Sequence, residues 1–469
     1  MSAPVRRPTM YGTRVGSITL DHGLPASEED VQRVFDASDF QRACQAYLWS
    51  LPIVSLAQWQ HAARTNLHMR DVDLVIYESA SDQEGILTAD VSVPYLVGLP
   101  DLARTGPLVV EYPAGNSSGT MYDFWQRPLQ RLGEGGHDSG TGGTYLVVGP
   151  GQLPHREAFD FVVHSPTFNL LLDVRPLDAD PARANSLVDR FRMYPVGQSG
   201  LDDATCIIRP EGRRWSQVPP RGLEYWARLA EILQREAITE QDLVMLALLQ
   251  TLGIERGRAF MPDERQRALL EDGAAMGELM ARTTAFDGRD AATRYRTDAR
   301  WRVVQPNALA NGERPDNFVD ARTDAFYKGV AASTGARARG EASPVCLLAH
   351  RDAGGNALDG SRTYRLRVPP HPPAKTFWSL TVYDADQRVL MQSGRTTPQR
   401  SSRESLRYHF DGSVTLYVGP KAPRGWEHNW IATTPSAPWF AYFRLFAPLA
   451  EYFARRFALP DFECIDADP

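Results

Sequence analysis

The sequence predicts an α+β fold: two β-rich domains, antiparallel sandwiches or jelly-roll-like, with a helical segment between them. Three observations carry this. Short β-branched and aromatic runs bounded by Pro, Gly, Asn and Asp recur between residues 73 and 174. Apolar residues at helical spacing fill 222–286. Strand-like runs then return at close spacing from 344 onward. At 469 residues, with 43% hydrophobic and 23% charged side chains, the chain has the composition of a packed protein of two to three domains.

Taken in order, residues 1–37 read as a loosely structured lead-in. SDFQRACQAYLWSL (38–51) sets Phe40, Ala43, Cys44, Tyr47 and Leu51 on one helical face, Pro52 is expected to end that helix, and a second helix covers 54–66. DLVIY, VPYLVGL, PLVVEY, TYLVVG, DFVVHS and FNLLLDV are strands, followed by a helix over 181–193. This β-rich first domain spans 38–200. Helices are expected over 222–237, 239–254 and 262–286, the last opening on Pro262 with acidic residues in its first turn. The polar, Arg-rich stretch 287–341 wraps the surface or links domains and closes a middle segment of 201–341.

The second domain, 342–469, contains the runs PVCLLAH, TYRLRV, TFWSLTVYDA, LRYHF, SVTLYVG, NWIAT and WFAYFRLF. Asp411-Gly412 between two of them marks a hairpin turn. In TFWSLTVYDA, Trp378, Leu380 and Val382 share one face and Phe377, Ser379, Thr381 and Tyr383 the other.

Two blocks carry a family resemblance. The first runs from PLVVEYPAGNSSGTMYDFWQRP through GGTYLVVGPGQ to FRMYPV (107–196), with its Trp125–Pro128 turn and the Gly142–Leu146 entry to a strand. The second is FWSLTVYDADQRVLMQSGRT (377–396) with DGSVTLYVGPKAPRGWEHNWIATTPSAPWFAYFRLFAPL (411–449). The chain resembles bacterial proteins that pair the domain-of-unknown-function families 1254 and 1214, in that order. The resemblance implies a β-rich, jelly-roll-like fold and homo-oligomers (dimer or tetramer), and no settled activity. Relatives tend to carry Asn or Asp and Thr before the Pro-Tyr of an early strand. Here the segment reads LTADVSVPY, with Val91 and Val93 in it.

Several function classes are excluded at this level. Net charge is −6, with no basic stripe for nucleic acid. No apolar run reaches the roughly 18 residues of a membrane span. The N-terminus has no apolar core after Arg6-Arg7, so no signal peptide is expected and the protein is expected to be soluble and cytoplasmic. Cys44, Cys206, Cys346 and Cys464 are scattered, and the histidines form no local metal-binding spacing, so neither cofactor nor metal is expected. Schiff-base chemistry would be confined to Lys328, Lys375 or Lys421.

The remaining chemistry gathers in aromatic and arginine residues. Trp125, Arg127 and Tyr145 from the first domain and Trp378, Arg395, Asn429 and Trp430 from the second are candidate substrate-binding groups in an interdomain pocket. His137, Asp138, Tyr383 and Arg388 are the candidate acid–base and orienting groups. The leading expectation is an enzyme acting on a small organic or carbohydrate-like molecule by acid–base or hydrolytic chemistry. The second is a non-catalytic binding protein for such a ligand. The third is a serine hydrolase, because Gly115–Gly119 matches G-x-S-x-G with Ser117 at its centre, although Pro113 and the poor helix signal after it are unlike a nucleophile elbow. The Gly133–Gly143 loop leads into a strand and lacks a G-K-[ST] ending, so a phosphate cradle is not expected. His350-Arg351-Asp352 stands without the other kinase motifs.

Overall fold

The computed structural model describes residues 8–153, 159–198, 205–289, 293–304, 323, 326, 327, 344–435 and 437–465. Most of the predicted 287–341 linker, with Lys328, lies outside them, as does His155.

The N-terminal lead-in is more ordered than its composition suggested. β1 (Thr9–Thr13), β2 (Gly16–Asp21) and β3 (Leu24–Pro25) form a small antiparallel sheet. Ser27 then caps α1 (Glu28–Asn66) by accepting from the Asp30 backbone N–H. The break predicted at Pro52 does not occur, and one helix replaces two. A proline inside a helix costs about 3 kcal/mol. Leu51, Ile53, Val54 and Leu56 around it are at most 1% exposed, and each contributes about 1.5–3 kcal/mol by burial, so packing outweighs the local cost.

The first β-domain contains β4 (Leu74–Tyr77), β5 (Tyr95–Gly98), the short α2 (Leu102–Thr105), β6 (Leu108–Tyr112), β7 (Ser117–Asp123), β8 (Pro128–Gly133), β9 (Gly143–Val148), β10 (Phe161–His164), β11 (Leu170–Pro176), α3 (Pro181–Val188), β12 (Arg192–Pro195) and β13 (Ile207–Ile208). They make one sheet of order β10-β9-β6-β12 and another of order β13-β4-β5-β11-β7-β8. Leu74, Leu96, Val110, Tyr145 and Leu172 are among the side chains that fill the core between the two. The predicted strands are all present, and β7 and β8 are additions, too polar in sequence to show the pattern. The helix expected over 181–193 stops at Val188, because Arg192–Pro195 pairs with β6 instead.

α4 (Leu223–Arg235), α5 (Leu243–Gln250) and α6 (Glu264–Asp287) form the predicted helical middle. The second domain holds β14 (Arg302–Val304), β15 (Val345–Ala349), β16 (Tyr364–Val368), β17 (Ala374–Asp384), β18 (Gln399–Ser401), β19 (Val414–Gly419), β20 (Trp430–Ala432), β21 (Trp439–Pro448), α7 (Ala450–Phe453) and β22 (Glu463–Cys464). Its sheets run β14-β15-β21-β17-β18 and β20-β19-β16-β22, around a core that includes Trp378, Leu380 and Val382 as the alternation predicted. LRYHF forms only an isolated bridge, Tyr408 to Val414. The pairing is mainly antiparallel, but β9–β10, β4–β13 and β19–β20 pair in parallel.

The helices do more than link the domains. α1 packs along α4, α5 and α6, and a shared core joins them to the outer face of β4, β5 and β11 on one side and of β15, β17 and β21 on the other. A helical layer thus sits between two β-domains, and α1 enters it from ahead of the first. Among the described residues, no helix is long and apolar enough to cross a membrane.

Candidate ligand-binding cleft

Where the turn after β17 meets the helical layer, a small cleft opens. Tyr47 and Leu51 come from α1, Arg221 from the segment before α4, Glu278 from α6, and Asp386, Gln387 and Arg388 from the turn; Phe326 and Tyr327 complete it. The turn is built locally: the Asp384 side chain accepts from the Asp386 and Gln387 backbone N–H groups, and its carbonyl accepts from the Arg388 N–H. Arg388 itself has φ 62°, a conformation rarely adopted by residues other than glycine. Its carbonyl accepts from the Thr88 N–H of the first domain, so the turn is tied to both domains.

The electrostatics are lopsided. Arg221 binds both Glu278 and Asp386, and Arg282 from α6 binds the same pair. Those hydrogen bonds raise Arg221 and lower Asp386 to about 2. Burial pulls Arg282 down, but its bonds to Asp386 and Glu278 more than reverse that. Arg388 is different. It is 4% exposed, lies over the rings of Tyr327 at 3.8 Å and Phe326 at 4.6 Å, and has one long hydrogen bond to the Phe326 carbonyl, 3.4 Å. Among the described residues no carboxylate pairs with it, and burial lowers its pKa. Three guanidinium groups therefore face two carboxylates. Burial also raises Tyr47 and Tyr327, keeping both phenols protonated. Tyr327 bonds to Arg282.

Of the predicted site residues, only Arg388 lines this cleft. Tyr383 lies next to it but is fully buried: its hydroxyl donates to the Ala89 carbonyl at 2.6 Å and its ring stacks on Phe440. The others do not gather there as predicted but are dispersed over both domains. Trp125 packs on Trp49 in the central core, and Arg127 is held by Asp123 at 2.6 Å. Asp138 is buried, accepting from the Gly133 N–H and the Tyr145 hydroxyl, so it closes its own loop. His137 is exposed beside Phe161, and no hydrogen bond joins it to Asp138. Tyr145 and Trp378 are core residues of their respective domains. Asn429 is buried and clamps Arg407 and Thr415 backbone groups, Arg395 donates to the Pro420 carbonyl on the surface, and Trp430 stands on the outer face of β20. These residues are dispersed because aromatic side chains in sheets satisfy packing first.

Ser117 opens β7, a strand rather than a helix. Its hydroxyl pairs with that of Tyr112 at 2.8 Å and with the Gly115 carbonyl, and the side chain is buried. The strand-to-helix turn of a nucleophile elbow is absent. The Gly133–Gly143 loop folds over Asp138, and at Gly142 a side chain would collide with the Tyr112 carbonyl, which accounts for a glycine there.

Tyr47, Arg221, Glu278, Arg282 and Asp386 were not singled out from the sequence. They come from four separate stretches, and no local spacing marks them. The one available signal was the polar DADQR turn after a strand within the second resemblance block.

Residues 73–195 match the family described as a protein of unknown function, DUF1254, and residues 343–450 match the equally described DUF1214. The two matches follow one another along the chain, DUF1254 first and DUF1214 second. Arg388, Asp386 and Tyr383 lie within the DUF1214 region, whereas Tyr47, Arg221 and Glu278 lie outside both matched regions. Among solved structures, the VPA0106 protein of Vibrio parahaemolyticus is similar over 91% of this chain and 100% of its own, with 18% identity and a TM-score of 0.52, a likeness of fold. A putative uncharacterized protein from Burkholderia cenocepacia aligns over 92% of this chain and 96% of its own, with 12% identity and a TM-score of 0.39. No curated protein matches the chain.

Proposed function

We propose that the cleft between the DUF1214 region and the helical layer binds a small organic anion, a carboxylate or similar oxyanion on a planar or carbohydrate-like body. The supporting observation is Arg388: a buried guanidinium, backed by aromatic faces and lacking a carboxylate partner among the described residues, at the wall of a cleft. A buried charge without a partner is costly, and an anionic ligand would relieve that cost. The flat guanidinium offers paired donors suited to an oxyanion, and the Tyr327 and Phe326 rings give its other face a favourable setting. The protonated Tyr47 phenol is a further donor.

Enzymatic turnover of the same anion is the second reading. It is favoured by the Tyr47 phenol, which makes no hydrogen bond among the described residues and could donate a proton or stabilise a developing negative charge. A base role for that phenol is disfavoured, because burial opposes its ionised form.

The test is calorimetric titration of the whole protein with a panel of mono- and dicarboxylates and their amide counterparts, beside Arg388→Gln. The expected result is saturable binding of one or more acids, at least about tenfold weaker in Arg388→Gln, since charged hydrogen bonds contribute about 1.5–3 kcal/mol. Binding of amides as tight as acids, or an unchanged affinity in a folded Arg388→Gln variant, would reject the reading.

A further inference from the structure

The outer face of the β20-β19-β16-β22 sheet carries side chains that the core does not use. On β16, Tyr364, Leu366 and Val368 point inward while Arg365 and Arg367 are exposed; on β19, Thr415 and Tyr417 face outward. Register places Glu463, Arg365, Tyr417 and Trp430 side by side across four strands. At the usual strand spacing that row is about 14 Å long. Trp426 extends it: its ring centroid lies 5.4 Å from that of Tyr417 and 5.3 Å from that of His409, and the Arg407 guanidinium sits over it at 4.7 Å. Tyr417, Trp426 and Trp430 are all half-buried, showing part of each ring to solvent.

Two features say what such a face would hold. First, it is positioned by buried groups. Asn429 donates to the Arg407 and Thr415 carbonyls and accepts from the Arg407 N–H, and the Trp430 indole donates to the Gly419 carbonyl. Second, its charge is unbalanced. Arg365 and Arg367 pair with Glu463 and Asp411, but Arg407, over the Trp426 ring, donates to the Gly425 backbone carbonyl and has no carboxylate partner among the described residues. Rings in a row accept the C–H faces of pyranose units, and the surplus guanidinium can donate to their acidic substituents.

We propose that this face is a second binding site, for an acidic oligosaccharide such as an oligouronide lying across the strands, separate from the interdomain cleft. Its test is calorimetric titration of the intact protein with tetragalacturonate, and with a neutral galactose tetrasaccharide as comparator. Expected is saturable binding of the acidic sugar, weakened by added salt, reduced at least about tenfold in Trp426→Ala and in Arg407→Ala, and largely kept in Trp426→Phe. Arg388→Gln leaves it unchanged. The proposal is overturned by any of four results. These are no binding of the acidic sugar, equal binding of the neutral one, unaltered affinity in a folded Trp426→Ala variant, or loss of binding in Arg388→Gln, which would move the sugar to the cleft. A Trp426→Ala variant that dissociates an oligomer on sedimentation overturns it as well, by assigning the face to a second copy of the chain.

Discussion

Arg388 shows how much of a site rests on one residue's surroundings. Its left-handed backbone costs of order 1 kcal/mol or more and is held by the Asp384 turn and the Thr88 contact. Beside it, Asp386 joins the turn to Arg221 and Arg282. Its folded pKa of about 2 lies below the ordinary 3.8, so the stability it contributes is present above pH 3.8 and is lost as pH falls through about 2. The Asp386 side chain is 42% exposed, so solvent screening keeps that contribution small. Melting curves of wild type and Asp386→Asn should differ by a constant amount above about pH 5 and converge as pH falls from about 4 to about 2. A gap that persists at the acid end would mean that the Arg221–Asp386–Arg282 cluster does not stabilise the fold in this way.

At the level of elements, the contact between α1 and α6 sets the width of the cleft. Gly273 faces Ala43 and Gly277 faces Tyr47, so the two helices approach closely. A methyl group at Gly277 would lie 2.7 Å from the Tyr47 ring and force the helices apart. Gly277→Ala gains about 1 kcal/mol in helix propensity and loses about 1–3 kcal/mol by overpacking. Net destabilisation in urea, together with weaker ligand binding because Tyr47 lines the cleft, is the expected result. A more stable variant would show that the helices can separate without cost. α1 also marks the limit of local reading: Pro52 signalled a break, and burial on nearly all sides of residues 43–63 carried the helix through it. By contrast, the alternation in TFWSLTVYDA was legible, because a strand's two-residue period assigns faces without knowledge of the partner.

For the whole molecule, the two β-domains are joined through buried polar groups as well as the helical layer. Arg444 on β21 reaches the first domain, donating to the Thr88 carbonyl at 3.1 Å and lying 3.8 Å from Asp90, while it donates to Thr381 within its own sheet. Gln399 donates to Ser92 across the same boundary. Arg444→Met strands Asp90 in a site that is 6% exposed; a loss of about 3–5 kcal/mol is expected. Asp90→Asn combined with Arg444→Met should recover part of it, read from urea unfolding of both variants. Equal losses in the single and double variants would show that the charge pair does not carry the coupling.

The amino-acid sequence alone determined the α+β class, the order of most strands and helices, the two faces of β17, and the pairing of the two families. Each of these follows from a local period, a turn signal or a long ordered motif. Only the tertiary structure decided that the helices form a layer between the β-domains, and that Trp125, Tyr145 and Trp378 serve packing while Arg388 meets Tyr47, Arg221 and Glu278 at a cleft. The physical reason is distance along the chain. Helical and strand faces repeat within a few residues, whereas the cleft joins side chains from residue 47 to residue 388, and their meeting depends on how whole layers pack.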